Sequence, residues 1–232
     1  MDAVALAQHP DIARNAERLA AAGVDDANHL VVISYNLHAH IDKFGPDSLA
    51  AAAAFHQTTD EPTAAQLLAW RDATPMQMDA VNTAESVAAS HDYSTFDEPY
   101  NLLTTAGLAR ITSLIVAGGG QAWNNTNSRI GVGNSATSAT VADTDLGAAA
   151  GSANRQFQVS NATYPQTANG VITFQSTFST SVANFTWNEW CIDEGTTNGT
   201  TVVATMMNHK ISSLGTKTSA SSWIFTVTVT LA

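Results

Sequence analysis

The segment Ser222-Trp223-Ile224-Phe225-Thr226-Val227-Thr228-Val229-Thr230-Leu231 decides how the rest of the chain is read. Trp223, Phe225, Val227, Val229 and Leu231 alternate with Ser222, Ile224, Thr226, Thr228 and Thr230. Successive strand side chains point to opposite faces, so a period of two puts an apolar row against a core and a mostly threonine row on the other side. That is the pattern of a half-buried antiparallel strand.

Working back from this strand, Val171–Phe178 repeats the pattern with Ile172, Phe174 and Phe178 on one face. Ala183–Ile192 predicts a third strand, with Phe185 and Trp187 on one side and Trp190 and Ile192 on the other. Asn198-Gly199 reads as a hairpin turn leading to a strand at Thr201–Met207. Residues 121–232 are rich in Thr, Ser, Asn, Val and Gly, which with these turns predicts an antiparallel β-sandwich, jelly-roll-like in form. Further back the period lengthens. Leu102–Val116 predicts a helix with Leu108, Ile111 and Ile115 on one side, ended by Gly118-Gly119-Gly120.

Residues 1–96 read as successive short helices. Pro10 opens the first and Gly23 ends it. Leu30, Leu37, Ile41 and Phe44 step at helical spacing and predict a helix over about 25–44, stopped by Gly45-Pro46. Ser48–His56 is an alanine-rich helix, Pro62 and Pro75 mark two more starts, and Met78, Val81, Ala84 and Ala88 form a stripe on the last. His91–Thr95 reads as a polar linker. The expected organisation is α+β: an acidic helical region over 1–96, then a β-sandwich domain over 97–232 preceded by the helix 102–116.

The charge is uneven. The chain carries a net −11, and residues 1–100 hold 15 acidic side chains against Arg14, Arg18, Lys43 and Arg71. The five acids and five bases of residues 101–232 cancel. An acidic surface repels phosphate backbones and anionic lipid, so neither nucleic acid nor a membrane is the expected partner. The opening residues Met1-Asp2-Ala3-Val4 lack the basic stretch of a secretory leader. Cys191 is the only cysteine, so it forms no internal disulfide and is expected as a small buried apolar group.

Several residues invite chemical readings. His38-Ala39-His40 with Asp42 suggests a metal-dependent enzyme, but on a helix positions i and i+2 diverge and cannot share an ion, so no metal or cofactor is expected. No Gly-x-Ser-x-Gly elbow occurs, and nothing in the sequence marks an acid–base–nucleophile set around His209. Ile130-Gly131-Val132-Gly133-Asn134 lacks the third glycine of a dinucleotide fingerprint and reads as a tight strand and turn. In Trp187-Asn188-Glu189-Trp190 a carboxylate lies among aromatics, as in sugar sites; the structural alternative has Trp187 in the core and Glu189 bonded to backbone or a neighbouring subunit. Trp123, Trp187, Glu189 and Trp190 are the interface or glycan candidates, and no catalytic residues are expected.

Short phrases distributed through the second half carry a resemblance. They are Tyr100-Asn101-Leu102-Leu103 leading to Gly107-Leu108, Ile130-Gly131-Val132-Gly133-Asn134-Ser135, Tyr164-Pro165-Gln166, Thr173–Phe178, Ala183–Trp190, Met207–Lys210, Ser213–Lys217 and Trp223–Leu231. Over about residues 97–232 the chain resembles a group of tailed-phage virion structural proteins, whose β modules serve as head decorations or in tail fibres and collars. The resemblance implies a non-enzymatic virion protein. The expectation is a decoration or cement protein on the capsid surface, bound to the major capsid protein as a homo-oligomer, a trimer above other forms. The alternative is a tail fibre, collar or receptor-binding module that recognises host glycan.

Overall fold

The alternation at the end of the chain becomes the strand Ser222–Leu231, and two antiparallel sheets are built around it and its partners. The protein is seen as a computed structural model that describes residues 35–74, 78–80, 85–88, 92–99, 101–202 and 204–231. Asn36–Thr230 form one compact unit.

In chain order the strands are β1 (Tyr35–Phe44), β2 (Met78–Ala80), β3 (Glu85–Ala88), β4 (Tyr93–Pro99), β5 (Leu102–Leu103), β6 (Arg129–Gly133), β7 (Arg155–Val159), β8 (Gln166–Ala168), β9 (Val171–Phe178), β10 (Thr186–Asp193), β11 (Asn208–Thr216) and β12 (Ser222–Leu231). The helices are α1 (Pro46–Phe55), α2 (Ala64–Ala73) and α3 (Thr105–Ile115). One sheet runs β2-β3-β4-β1-β12-β9-β8 and the other β5-β11-β10-β6-β7. β12 pairs with β9 in unbroken register from Trp223↔Phe178 to Thr230↔Val171.

The core lies between the sheets. Trp187 of β10 is fully buried against Phe178 of β9 and Trp223 and Phe225 of β12, with ring centroids 4.7, 4.6 and 6.4 Å away. Trp190 packs edge-on against Phe225 at 5.2 Å. Each large apolar side chain buried in this way contributes roughly 1.5–3 kcal/mol. Cys191 is buried beside Leu146, Phe157 and Met206 as the small apolar group the sequence suggested, and burial pushes its thiol up so that it stays protonated.

The outer face of the larger sheet has a second, smaller core. Phe44, Tyr93 and Ile224 rise from β1, β4 and β12 to meet Ala52 of α1 and Leu67 and Trp70 of α2. This explains why Ile224, on the threonine side of β12, is as buried as its apolar neighbours. Pro46 opens α1, and the Asp92 carboxylate accepts the free backbone N–H groups of Asp47 and Ser48 at 3.0 and 2.8 Å. At α2, Thr63 and Gln66 cap reciprocally.

Several expectations are corrected. Residues 35–44 are strand β1, where a helix over 25–44 was expected; the earlier part of that segment lies outside the described residues, as does the helix expected from Pro10 to Gly23. Of the stripe expected on a helix, Met78 and Ala88 fall on strands β2 and β3, while Val81 and Ala84 lie outside the described residues. The linker at His91–Thr95 runs into β4, which pairs with β1 from His38↔Pro99 to Phe44↔Tyr93. The boundary expected at residue 96 therefore falls within a sheet strand. Leu102-Leu103 pair with β11 before the expected helix begins as α3. Among the described residues of Thr201–Met207 only the isolated bridge Asp193↔Met206 forms, where a strand was expected. Instead β10 and β11 flank an irregular segment, and Asn198-Gly199 turns back onto β7 through the bridge Phe157↔Gly199.

Candidate functional site

The polar centre of the molecule grows from an irregularity in β10. Its pairing with β11 shifts register between Trp187 and Glu189, the mark of a bulge. Between these two positions one residue of β10 faces three of β11 (212–214), and Trp187 and Trp190 reach the same ring of Phe225 although strict alternation would separate them. Glu189 is left fully buried. Room for its carboxylate comes from Gly133 of β6, where a side chain would come within 2.2 Å of Glu189 Oε1; Gly131 on the same strand makes room for the Phe157 ring, 2.5 Å from where its side chain would stand.

Glu189 accepts backbone N–H bonds from Gly147 at 2.8 Å and Ala148 at 2.7 Å, and its Oε2 lies 2.9 Å from Nε2 of His209 on β11. The other ring nitrogen, Nδ1, is 2.6 Å from Asp143 Oδ2, and Asp143 also accepts from the Thr140 hydroxyl and backbone N–H at 2.6 and 2.8 Å. Burial works against a charged ring at His209, but the hydrogen bonds and charges of Glu189 and Asp143 outweigh it and raise the imidazole's pKa. Partial burial likewise opposes ionisation of Asp143, and the Thr140 hydroxyl and N–H together with His209 hold its carboxyl below the ordinary range. An imidazolium between two carboxylates thus fastens the irregular segment 134–150 to β10 and β11. Both ring nitrogens are occupied by carboxylates, so the arrangement acts as a clamp. Nothing in the sequence signals this set, because its members stand 66 and 20 residues apart.

A second buried pair fastens the segment between β10 and β11. Register places Asp193 opposite Arg129, and the guanidinium grips both carboxylate oxygens while donating to the Thr197 and Thr201 carbonyls at 3.0 Å each. It also lies 4.7 Å over the Phe157 ring. Arg155 donates to the Thr200 carbonyl at 2.6 Å and pairs with Asp145 at 2.9 Å, while Arg110 of α3 pairs with Glu194.

The His-x-His motif lies on β1, so His38, His40 and Asp42 do share one face, contrary to the helical reading. Asp97, across the ladder from His40, is 2.8 Å from its Nδ1 and 3.5 Å from His38 Nε2. Asp42 is nonetheless committed: it accepts from Arg71 at 2.8 Å and from the Tyr93 hydroxyl, with His40 Nε2 at 3.4 Å. Burial disfavours charge on His40, but Asp42 and then Asp97 raise its pKa to about 9. Among the described residues no three His, Cys, Asp or Glu side chains form a set able to hold a metal ion.

Of the aromatic candidates, Trp187 and Trp190 are in the inter-sheet core and cannot offer a face to sugar, while Trp123 is half-buried. Glu189 bonds backbone groups, one of its two expected roles. Phe55 of α1 and Leu231 of β12 are exposed singly, whereas several outward apolar side chains gather on α3 and its C-cap. Its inner side docks through Gly107, where a side chain would meet the Met207 carbonyl at 2.1 Å, and through the Thr104 hydroxyl, which donates to the Met206 carbonyl at 2.6 Å. Its outer side leaves Ile115 and Val116 68 and 75% exposed, with Leu108 one further turn-pair back. No helix among the described residues is long and apolar enough to cross a membrane. No family profile, no curated protein and no solved structure matches the chain, so its function has to be argued from these residues.

Proposed function

We propose that this chain is a structural component of a tailed-phage particle, a decoration protein that binds the outside of the assembled shell as a small homo-oligomer, a trimer above other forms. The observation that carries the reading is the exposed apolar stripe of Leu108 and Ile115 on α3, continued by Val116 at its C-cap. Such a face costs free energy in water and gains by being covered, and symmetric assembly multiplies a modest contact into a stable one. The resemblance to tailed-phage virion proteins read from the sequence over about residues 97–232 points the same way. So does the use of the buried ionic groups: Glu189, His209, Arg129 and Asp193 hold loops in place, which suits a component that must persist.

Bound to neighbouring copies of the major capsid protein, such a decoration raises the free energy needed to part them, because it binds the assembled shell and not its separated parts. The test is gold-labelled antibody imaging of intact particles of the phage that encodes the chain. Label spread regularly over the head is the expected result. Label confined to the tail would move the protein to the fibre or receptor-binding class, and its absence from particles would refute a virion role altogether.

A further inference from the structure

A cleft of about 570 Å³ opens on the outer face of the larger sheet, between the start of α2, strand β9 and the loop that follows β7. Pockets of roughly 300–1,000 Å³ are the size that holds small ligands. Among the described residues Glu61 is the only charged side chain lining it; the remaining polar groups are amides and hydroxyls, and Leu68 and Tyr164 add apolar surface.

The polar groups are fixed before any ligand arrives. Asn161 Nδ2 donates to Gln175 Oε1 at 2.9 Å, the Thr177 hydroxyl donates to Asn161 Oδ1 at 3.0 Å, and Gln175 Nε2 donates to Thr226 Oγ1 at 3.3 Å. Each amide nitrogen carries two protons and each amide oxygen two lone pairs, so this ladder orients both amides and leaves part of their capacity unspent. Glu61 is held as firmly, its two oxygens accepting from the Thr180 backbone N–H at 3.0 Å and hydroxyl at 2.8 Å. A carboxylate with lone pairs to spare accepts hydroxyl donors and repels anions.

We propose that this cleft binds a neutral sugar ring. Rigid donors and acceptors side by side match the vicinal hydroxyls of a pyranose, which donate and accept at once, and preorganised groups lose little entropy on binding. A ring's apolar C–H face has the part-exposed Tyr164 and Leu68 to lie against. The carboxylate selects against phosphorylated and acidic sugars. The inference is independent of shell binding: a head decoration and a tail module could each carry such a site, so particle labelling and sugar binding can fail separately.

The experiment is saturation-transfer difference NMR on the full chain, with the methyl glycosides of glucose, mannose, galactose and N-acetylglucosamine as neutral probes and N-acetylneuraminic acid as the acidic one. Transfer to the ring protons of at least one neutral glycoside is expected. Ala162→Trp, at an exposed position on the cleft wall, should abolish it. Thr177→Val keeps the shape and removes one hydroxyl, and should weaken it about tenfold. Near-UV circular dichroism of the buried tryptophans verifies that each variant is folded. No transfer from any neutral probe, transfer undiminished in both variants, or stronger transfer to the acidic sugar would overturn the assignment.

Discussion

Glu189 and Gly133 show how a single missing methyl group can hold a carboxylate in place. Glu189 is fully buried and satisfied by two backbone N–H groups and His209, and its Oε1 occupies the space where any side chain at residue 133 would stand. Gly133→Ala should therefore displace the carboxylate from Ala148 and leave buried polar groups unmatched, costing roughly 1–3 kcal/mol. Urea unfolding midpoints read this directly, and an unchanged midpoint would show that the clamp yields without cost. At this scale the sequence was partly legible. The tight approach at Gly131 and Gly133 could be suspected from paired glycines in a short strand. Their partners could not, because Asp143, Glu189 and His209 meet only through the register of β10 and β11 and the path of a long irregular segment.

Among the elements, those with one solvated face were readable. β9 and the inward row of β12 follow the period of two, α1 contains most of the expected alanine run Ser48–His56, α2 begins close behind Pro62, and α3 fills most of the expected Leu102–Val116. β1 was misread for a physical reason. Leu37, Ala39 and Ile41 face one way, but α1 and α2 cover Phe44 on the other side, so both faces carry buried residues and the alternation is masked. Leu37, Ile41 and Phe44 then happen to fall at helical spacing. The irregularity between β10 and β11 was hidden for a related reason, since the five successive positions from Glu189 to Asp193 are all buried. α3 was legible as an amphipathic helix, but which side packs inward was not: Gly107 and Thr104 make its dock while Leu108 and Ile115 face out. Ile115→Asp should leave the monomer's stability within about 0.5 kcal/mol, as at other exposed sites, while dispersing any oligomer built on that face. Sedimentation velocity tests this; a sedimentation coefficient the same in variant and wild type would remove α3 as the contact.

For the whole molecule, buried ionisable groups set the response to pH. His40 in the folded state titrates at about 9, above its ordinary 6.5, so its stabilising contribution is complete below pH 6.5 and declines as pH rises toward 9. His209, raised by its two carboxylates, acts in the same direction. Lys217 acts oppositely: buried with only carbonyl and amide oxygens within hydrogen-bond reach, it falls from 10.5 to about 8, so the folded state is favoured progressively above pH 8. Stability should fall from pH 6.5 to 8, at no more than about 1.4 kcal/mol per unit for each histidine, then level off. His40→Gln should flatten that first slope in chemical denaturation; a slope unchanged by the substitution would mean that Asp42 and Asp97 do not hold the ring's proton. The same placement of basic groups has a consequence for proteolysis. Beyond residue 100 the chain has only five sites for trypsin, and every one is tied down: Arg110 to Glu194, Arg129 to Asp193, Arg155 to Asp145, Lys210 to Glu98, and Lys217 to the Ser179 carbonyl. A protease needs its target side chain and several flanking residues free in its groove, so the stretch after Arg110 should survive native digestion in one piece, with cleavage starting only when denaturant opens the fold.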